Sequence, residues 1–170
     1  IKAINETDNW VVITNENGVI EYVNTTVKEI TGYSREEVIG KKPSLFKSNK
    51  HDQKYYKNLW ETIKAGDVFN DVIINKKKDG DYFYSEQTIT PIRNYENEII
   101  NFISVGKDIT QNEKLREQIE YISNYDLIFG LPNRRFIQSK ISDLIAVNND
   151  QKIAILVIKF NKIKHLNDIY

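Results

Sequence analysis

The sequence predicts an α+β fold, an antiparallel sheet covered on one face by short helices, followed by a helix and a partial α/β segment. Three observations predict it. Two β-rich runs around a polar turn come first, and three short helical patterns follow. Three more β-rich runs, joined by hairpin signals, then complete the block. Strands joined by hairpins run antiparallel, and such a sheet can keep one face for a helical cover. Past residue 125 the order changes to helix and then a wholly apolar run, which marks a different architecture.

Taken in order, Trp10–Thr14 and Val19–Val23 are β-rich, with Asn15-Glu-Asn-Gly18 as the turn. A first short helix carries Val27 and Ile30 and stops at Gly32. A second opens on Ser34 with Glu37 three residues on, a pair that can satisfy each other's orphan amides. Gly40 supplies a left-handed stop. A third helix, capped by Asp52, places Tyr56, Leu59, Trp60 and Ile63 at spacings of three and four and ends at Gly66. Val68–Asn75 and Asp81–Ile92 flank Lys76-Lys-Lys-Asp-Gly80, a hairpin signal. The polar turn Asn94–Asn97 precedes the last strand, Ile99–Lys107. Gln111–Ser123 is rich in charge and amide, with Leu115, Ile119 and Ile122 forming a short heptad-like seam. A turn at Gly130-Leu-Pro-Asn133, an amphipathic helix to about Val147 and an apolar strand over Ile153–Ile158 complete the pattern. These changes of character divide the chain into residues 1–110, a linker over 111–125, and residues 126–170.

Composition narrows the function classes. Among 170 residues, Lys+Arg and Asp+Glu are both 24, so no strong field points to a nucleic-acid polymer or an anionic membrane. No apolar run approaches the roughly 20 residues that span a bilayer. The reading is therefore cytoplasmic, with membrane attachment only through segments outside this sequence. The chain opens on Ile1 and has no methionine, as an excised fragment would. It has no cysteine, which excludes disulfide and thiol chemistry and suits a reducing compartment. No Ser-His-Asp set, His/Cys metal cluster or phosphate-cradling glycine loop is present, which favours a sensor over an enzyme.

Several stretches carry a family resemblance. Tyr22-Val-Asn24, then Ile30-Thr-Gly-Tyr-Ser-Arg-Glu-Glu-Val-Ile-Gly40, then Asn75-Lys-Lys-Lys-Asp-Gly80, and finally Asp108-Ile-Thr110 resemble the PAS family in the expected order over residues 8–110. The resemblance implies a five-stranded antiparallel sheet whose concave face holds a ligand or cofactor beneath short helices. Leu59-Trp60-Glu-Thr-Ile63, leading into the hairpin, resembles the subgroup that often binds flavin, FAD or FMN. Residues Asp126–Arg135 and Ile158–Asp168 resemble the start of the GGDEF, or diguanylate cyclase, domain, and the chain stops before that family's signature loop.

What the resemblance implies depends on individual positions. Light-sensing members with a photoadduct cysteine carry it three residues after the glycine matching Gly40. Pro43 stands there, so adduct photochemistry is excluded. Of the three amides that read a flavin ring edge, Asn75 matches one. Ser85 and Gly106 stand at the other two positions, and Phe69 replaces a frequent tryptophan. Asn75 reads more readily as a residue that caps or turns the hairpin. Haem needs an axial ligand, and His51 is the sole histidine of this block. Lys50-His51-Asp52 reads more naturally as a loop and helix cap, so haem is not expected. Trp10, Trp60, Tyr56 and Phe83 are the aromatics that would line a pocket, although the same spacing serves plain core packing. The three lysines at 76–78 read as a solvated cluster at a hairpin tip.

In the second block Lys159 occupies the place of a metal-binding aspartate and Asn161 that of a second. A lysine cannot ligate a hard cation. Lys164 and Asn167 match positions that serve phosphate and guanine in the family, so nucleotide binding without catalysis is the expectation. The leading function is a sensor in which a cue in the pocket or at the dimer face passes through Asp108 and Thr110 to the seam of Leu115, Ile119 and Ile122 in a homodimer. Two alternatives stay open, the sensor half of an active diguanylate cyclase and a ligand-free dimerisation module.

Overall fold

A computed structural model of the chain describes residues 7–147 and 156. Strand β1 spans Trp10–Asn15 and β2 spans Ile20–Val23. Helices α1, Thr25–Thr31, and α2, Arg35–Val38, come next, and then a single 3₁₀ turn over Pro43–Phe46. Helix α3 covers Gln53–Ala65. Strands β3, Phe69–Lys76, β4, Tyr82–Arg93, and β5, Ile99–Asp108, complete one sheet in the order β2-β1-β5-β4-β3, every neighbouring pair antiparallel. The expected antiparallel sheet with helical cover is what forms. Its boundaries differ from the sequence reading by a residue at most of the strand ends.

Local chemistry explains most of these elements. Ser34 N–H donates to Glu37 Oε2 at 2.9 Å in a capping box that starts α2. Asp52 accepts the Tyr55 N–H at 2.7 Å and starts α3, which ends at Gly66 in the left-handed region. The Lys76–Gly80 hairpin tip adds to the expectation. Lys78 pairs with Glu37 at 2.6 Å, and its N–H donates to the Thr31 carbonyl at the end of α1. The tip stays solvent-exposed at Lys78 and is also tied to the helices, because Glu37, needed for the capping box, lies within reach.

The apolar core is in two parts. Trp10, Val12, Ile20, Val23, Val27, Val38, Phe46 and Phe83 form one cluster under the first two helices. Leu59, Ile63, Phe69, Ile73 and Phe102 form another between α3 and the sheet. Full burial of each large side chain contributes on the order of 1.5–3 kcal/mol.

Helix α4, Thr110–Asn124, leaves the end of β5 directly. The described residues fall into two compact units that meet within this helix, between Glu117 and Gln118. In the second unit, Tyr121 stacks on Tyr125 at 4.8 Å, and Asn133 Oδ1 accepts the Phe136 N–H at 3.0 Å at the start of α5, Arg134–Val147. Apart from the isolated Leu156, the strand expected over Ile153–Ile158 lies outside the described residues, as do Lys159, Asn161, Lys164, His165 and Asn167. Among the described residues no helix is long and apolar enough to cross a membrane.

Candidate ligand cavity and helix junction

Between the two parts of the core lies a cavity of about 350 Å³. Strand alternation builds its floor. Trp10, Val12 and Thr14 of β1, Phe102 and Ser104 of β5, Gln87 and Ile89 of β4, and Ile73 and Asn75 of β3 all face it. Helical spacing builds its roof from Tyr56, Leu59, Trp60 and Ile63 of α3. The segment from Lys42 to Lys47 supplies the remaining wall. Trp60 is held from behind by the β1–β2 turn, where a side-chain carbon on Gly18 would come within 2.5 Å of the indole.

The polar atoms of the cavity are few. Asn75 is buried, and its amide makes one long bond of 3.4 Å to the Ile73 carbonyl. Gln87 is buried and presents its side chain to the cavity. The Tyr56 hydroxyl is buried without a partner, whereas that of its neighbour Tyr55 lies beside the Asp71 carboxylate. Burial pushes both phenols above their ordinary pKa, and at Tyr55 the Asp71 carboxylate adds to the effect.

The site residues expected from sequence divide accordingly. Trp60 and Asn75 line the cavity. Phe69 packs instead in the second core cluster, edge-on to Tyr55 at 6.0 Å. Ser85 is fully buried and accepts the Trp10 indole N–H at 2.9 Å, so its hydroxyl is turned into the wall. Phe83 is core, edge-on to Trp10 at 5.6 Å. Gln87, Thr14, Ser104, Lys42 and Lys47 were not singled out from sequence. A signal for Gln87 existed, since Phe83, Ser85, Gln87 and Ile89 share one face at a period of two.

For a flavin read at its edge by three amides, the residues do not fit. Of the three expected positions only Asn75 presents an amide. At 106 an added Cβ would overlap Trp10 Nε1 and approach Ser85 Oγ to 2.6 Å, so a glutamine has no room while the indole stays in place. His51 does not line the cavity. Its Nε2 accepts the Ile74 N–H at 2.9 Å on the outer edge of β3, its ring stacks on Tyr55 at 4.1 Å, and burial lowers its pKa. No group of three or more metal-ligating side chains occurs among the described residues.

A second feature lies where the sheet ends. Asp108 Oδ1 accepts the Thr110 N–H at 2.8 Å and the Thr110 hydroxyl at 2.5 Å. The same hydroxyl oxygen accepts the Tyr84 N–H at 3.0 Å, and Ile109 donates to the Tyr84 carbonyl at 2.9 Å. The first turn of α4 is thus fastened to β4, one residue from Ser85. Farther along α4, Leu115, Ile119 and Ile122 are 46%, 67% and 56% exposed, so the seam has no apolar cover among the described residues.

A hollow five-stranded sheet with a tethered exit helix finds its counterpart in known proteins. A family model described as PAS domain matches residues 8–111. The chain belongs to the PAS domain family. A protein of Listeria innocua named blue-light photoreceptor is 30% identical over 123 residues, 71% of this chain and 48% of that protein. A protein of Escherichia coli named cyclic di-GMP phosphodiesterase PdeR is 26% identical over 99% of this chain and 26% of its own length. The chain thus spans about half or less of these curated relatives. An RNA-binding light-oxygen-voltage receptor shares the PAS fold, with a TM-score of 0.64 and 22% identity over 72% of this chain and 35% of that one. A signalling sensor role for the PAS block follows from its family.

Proposed function

We propose that this chain is the sensory portion of a cyclic di-GMP-type signalling protein. A ligand in the PAS cavity biases the sheet, and the bias passes through Asp108 and Thr110 into α4 and on to a GGDEF-like block beginning near residue 126. The observation that carries the reading is the double fastening of Ile109 and the first residue of α4 to Tyr84, on the strand that also presents Gln87 and Ile89 to the cavity. A shift of β4 on ligand binding displaces the start of the helix, a differential contact of the kind allostery requires. The match of PdeR along nearly the whole chain supports the cyclic di-GMP context. In this reading Lys164 and Asn167 hold a guanine nucleotide, Lys159 keeps the block non-catalytic, and the exposed seam of α4 pairs two copies as a homodimer.

Hydrogen exchange tests the relay. Thr110→Val removes the acceptor for the Tyr84 N–H, a loss on the order of 1 kcal/mol. Amides in the first turns of α4 should exchange several-fold faster while those of β1 and β5 stay protected. Unchanged exchange in α4 would contradict the relay. A second reading, a flavin held by Asn75 and Gln87 rather than by the three-amide mode, is favoured by the name of the Listeria relative. An absorption spectrum of the purified protein with a blue flavin band would select it.

A further inference from the structure

The chemistry of the cavity wall narrows the ligand class. Lys42 and Lys47 line the cavity, and no aspartate or glutamate does. Among the described residues neither lysine lies within ion-pair distance of a carboxylate. Two cations beside an apolar concavity without a counter-ion raise the local potential for an anion. Their placement is directional. Lys42 is exposed, whereas Trp10 and Phe102 at the floor are buried, so the positive end of the cavity is its wet end. Lys47 is half-buried, with Nζ 4.3 Å from the centre of the Tyr56 ring, a cation–π contact that keeps it against the roof.

The interior asks for something else. The Tyr56 hydroxyl is buried without a partner and costs free energy until a ligand or water meets it, and the Gln87 side chain lines the same cavity. Around them the wall is aliphatic and aromatic. Trp10, fixed by Ser85 and covering Gly106, closes the sheet end and limits the length of what can enter.

Resting on the sensor reading above, we infer that the cavity takes a compact aromatic or apolar body bearing one anionic group, a carboxylate or a phosphate. The anion sits at Lys42 and Lys47. The body lies beneath Trp60 and offers a polar atom to Gln87 or to the Tyr56 hydroxyl.

The test uses the full chain and two dyes that differ in one group, anilinonaphthalene sulfonate and its uncharged parent N-phenylnaphthylamine. The chain has 2 tryptophans, and both line the cavity, so energy transfer from tryptophan reports binding there. The sulfonate should bind about tenfold more tightly at low salt. That advantage should shrink as salt rises. It should vanish in the Lys42→Gln/Lys47→Gln double variant, whose fold is checked by circular dichroism, as the sulfonate's affinity falls to that of the uncharged dye. Naphthoate and naphthyl phosphate as competitors then tell a carboxylate from a phosphate preference. Equal affinities for the two dyes, or an advantage that survives the double variant, would overturn the anion inference alone. Failure of both dyes to quench tryptophan saturably would overturn the ligand-sensing cavity with it.

Discussion

Trp10 is a residue whose role is set by what its neighbours lack. It crosses from β1 over β5 to donate its indole N–H to Ser85 on β4, and it can do so because residue 106, its cross-strand partner, has no side chain. Gly106 here is about room rather than backbone freedom. Gly106→Ala should therefore destabilise by about 2–4 kcal/mol, as overpacking plus a disturbed buried hydrogen bond. A drop in the urea midpoint with an unchanged slope would show it, and a shift of a few tenths of a kcal/mol would contradict the packing described. From sequence, Gly106 could be seen only as the absence of an expected amide. That the vacated space holds an indole from another strand depends on tertiary register, which no local pattern carries. The same limit applies to Ser85. Its place opposite a ring edge was readable by resemblance, but its partner was not. Lys78 shows the converse, since three adjacent lysines look alike in sequence and only the docking of the hairpin brings one of them to Glu37.

At the scale of elements, β3 is an outer strand of the sheet, and the chain between the 3₁₀ turn and α3 lies along it. Lys47 bridges to Asn75, the Ser48 hydroxyl donates to the Ile74 carbonyl, and His51 Nε2 accepts the Ile74 N–H. This covers part of an edge that would otherwise offer unpaired backbone groups. Only a deprotonated Nε2 can accept that bond. Burial lowers the His51 pKa from 6.5 against the opposing pull of Asp71 and Asp52, so the folded state resists a proton that the unfolded chain accepts. The stabilisation is full above 6.5 and is lost as pH falls through the lower folded value. Urea midpoints should decline on acidification from neutral pH through this window, and His51→Gln should flatten that decline. An identical pH profile in the variant would rule out His51 as the cause. The helix starts at Ser34 and Asp52 and the hairpin at Asp79-Gly80 were legible in sequence, because capping and turn chemistry are local. The latch of His51 onto β3 joins residues 23 apart and was not.

At the scale of the molecule, the order of strands and helices was readable from alternation and punctuation, and with it the hollow sheet. Which concave-face residues border open space and which pack solidly was not readable. Asn75 and Phe69 illustrate this, both on β3 and both buried, one in the cavity wall and the other in the core. The proposed pairing of two copies rests on the bare stripe of α4. If that stripe joins them, Ile119→Glu should convert the assembly to a monomer in light scattering, with the fold of the PAS block intact by circular dichroism. A monomeric parent chain would remove the dimer from the proposal.

The division of the core into two clusters around a hollow, whose apolar floor lies away from its wet end, has a mechanical consequence. Unfolding lets water into volume that the native chain leaves open, so the unfolded state occupies less space overall. Hydrostatic compression should accordingly unfold this domain more readily than a solidly packed one of equal thermal stability. Any molecule that occupies the hollow should raise its resistance to compression by more than its effect on heat unfolding would suggest.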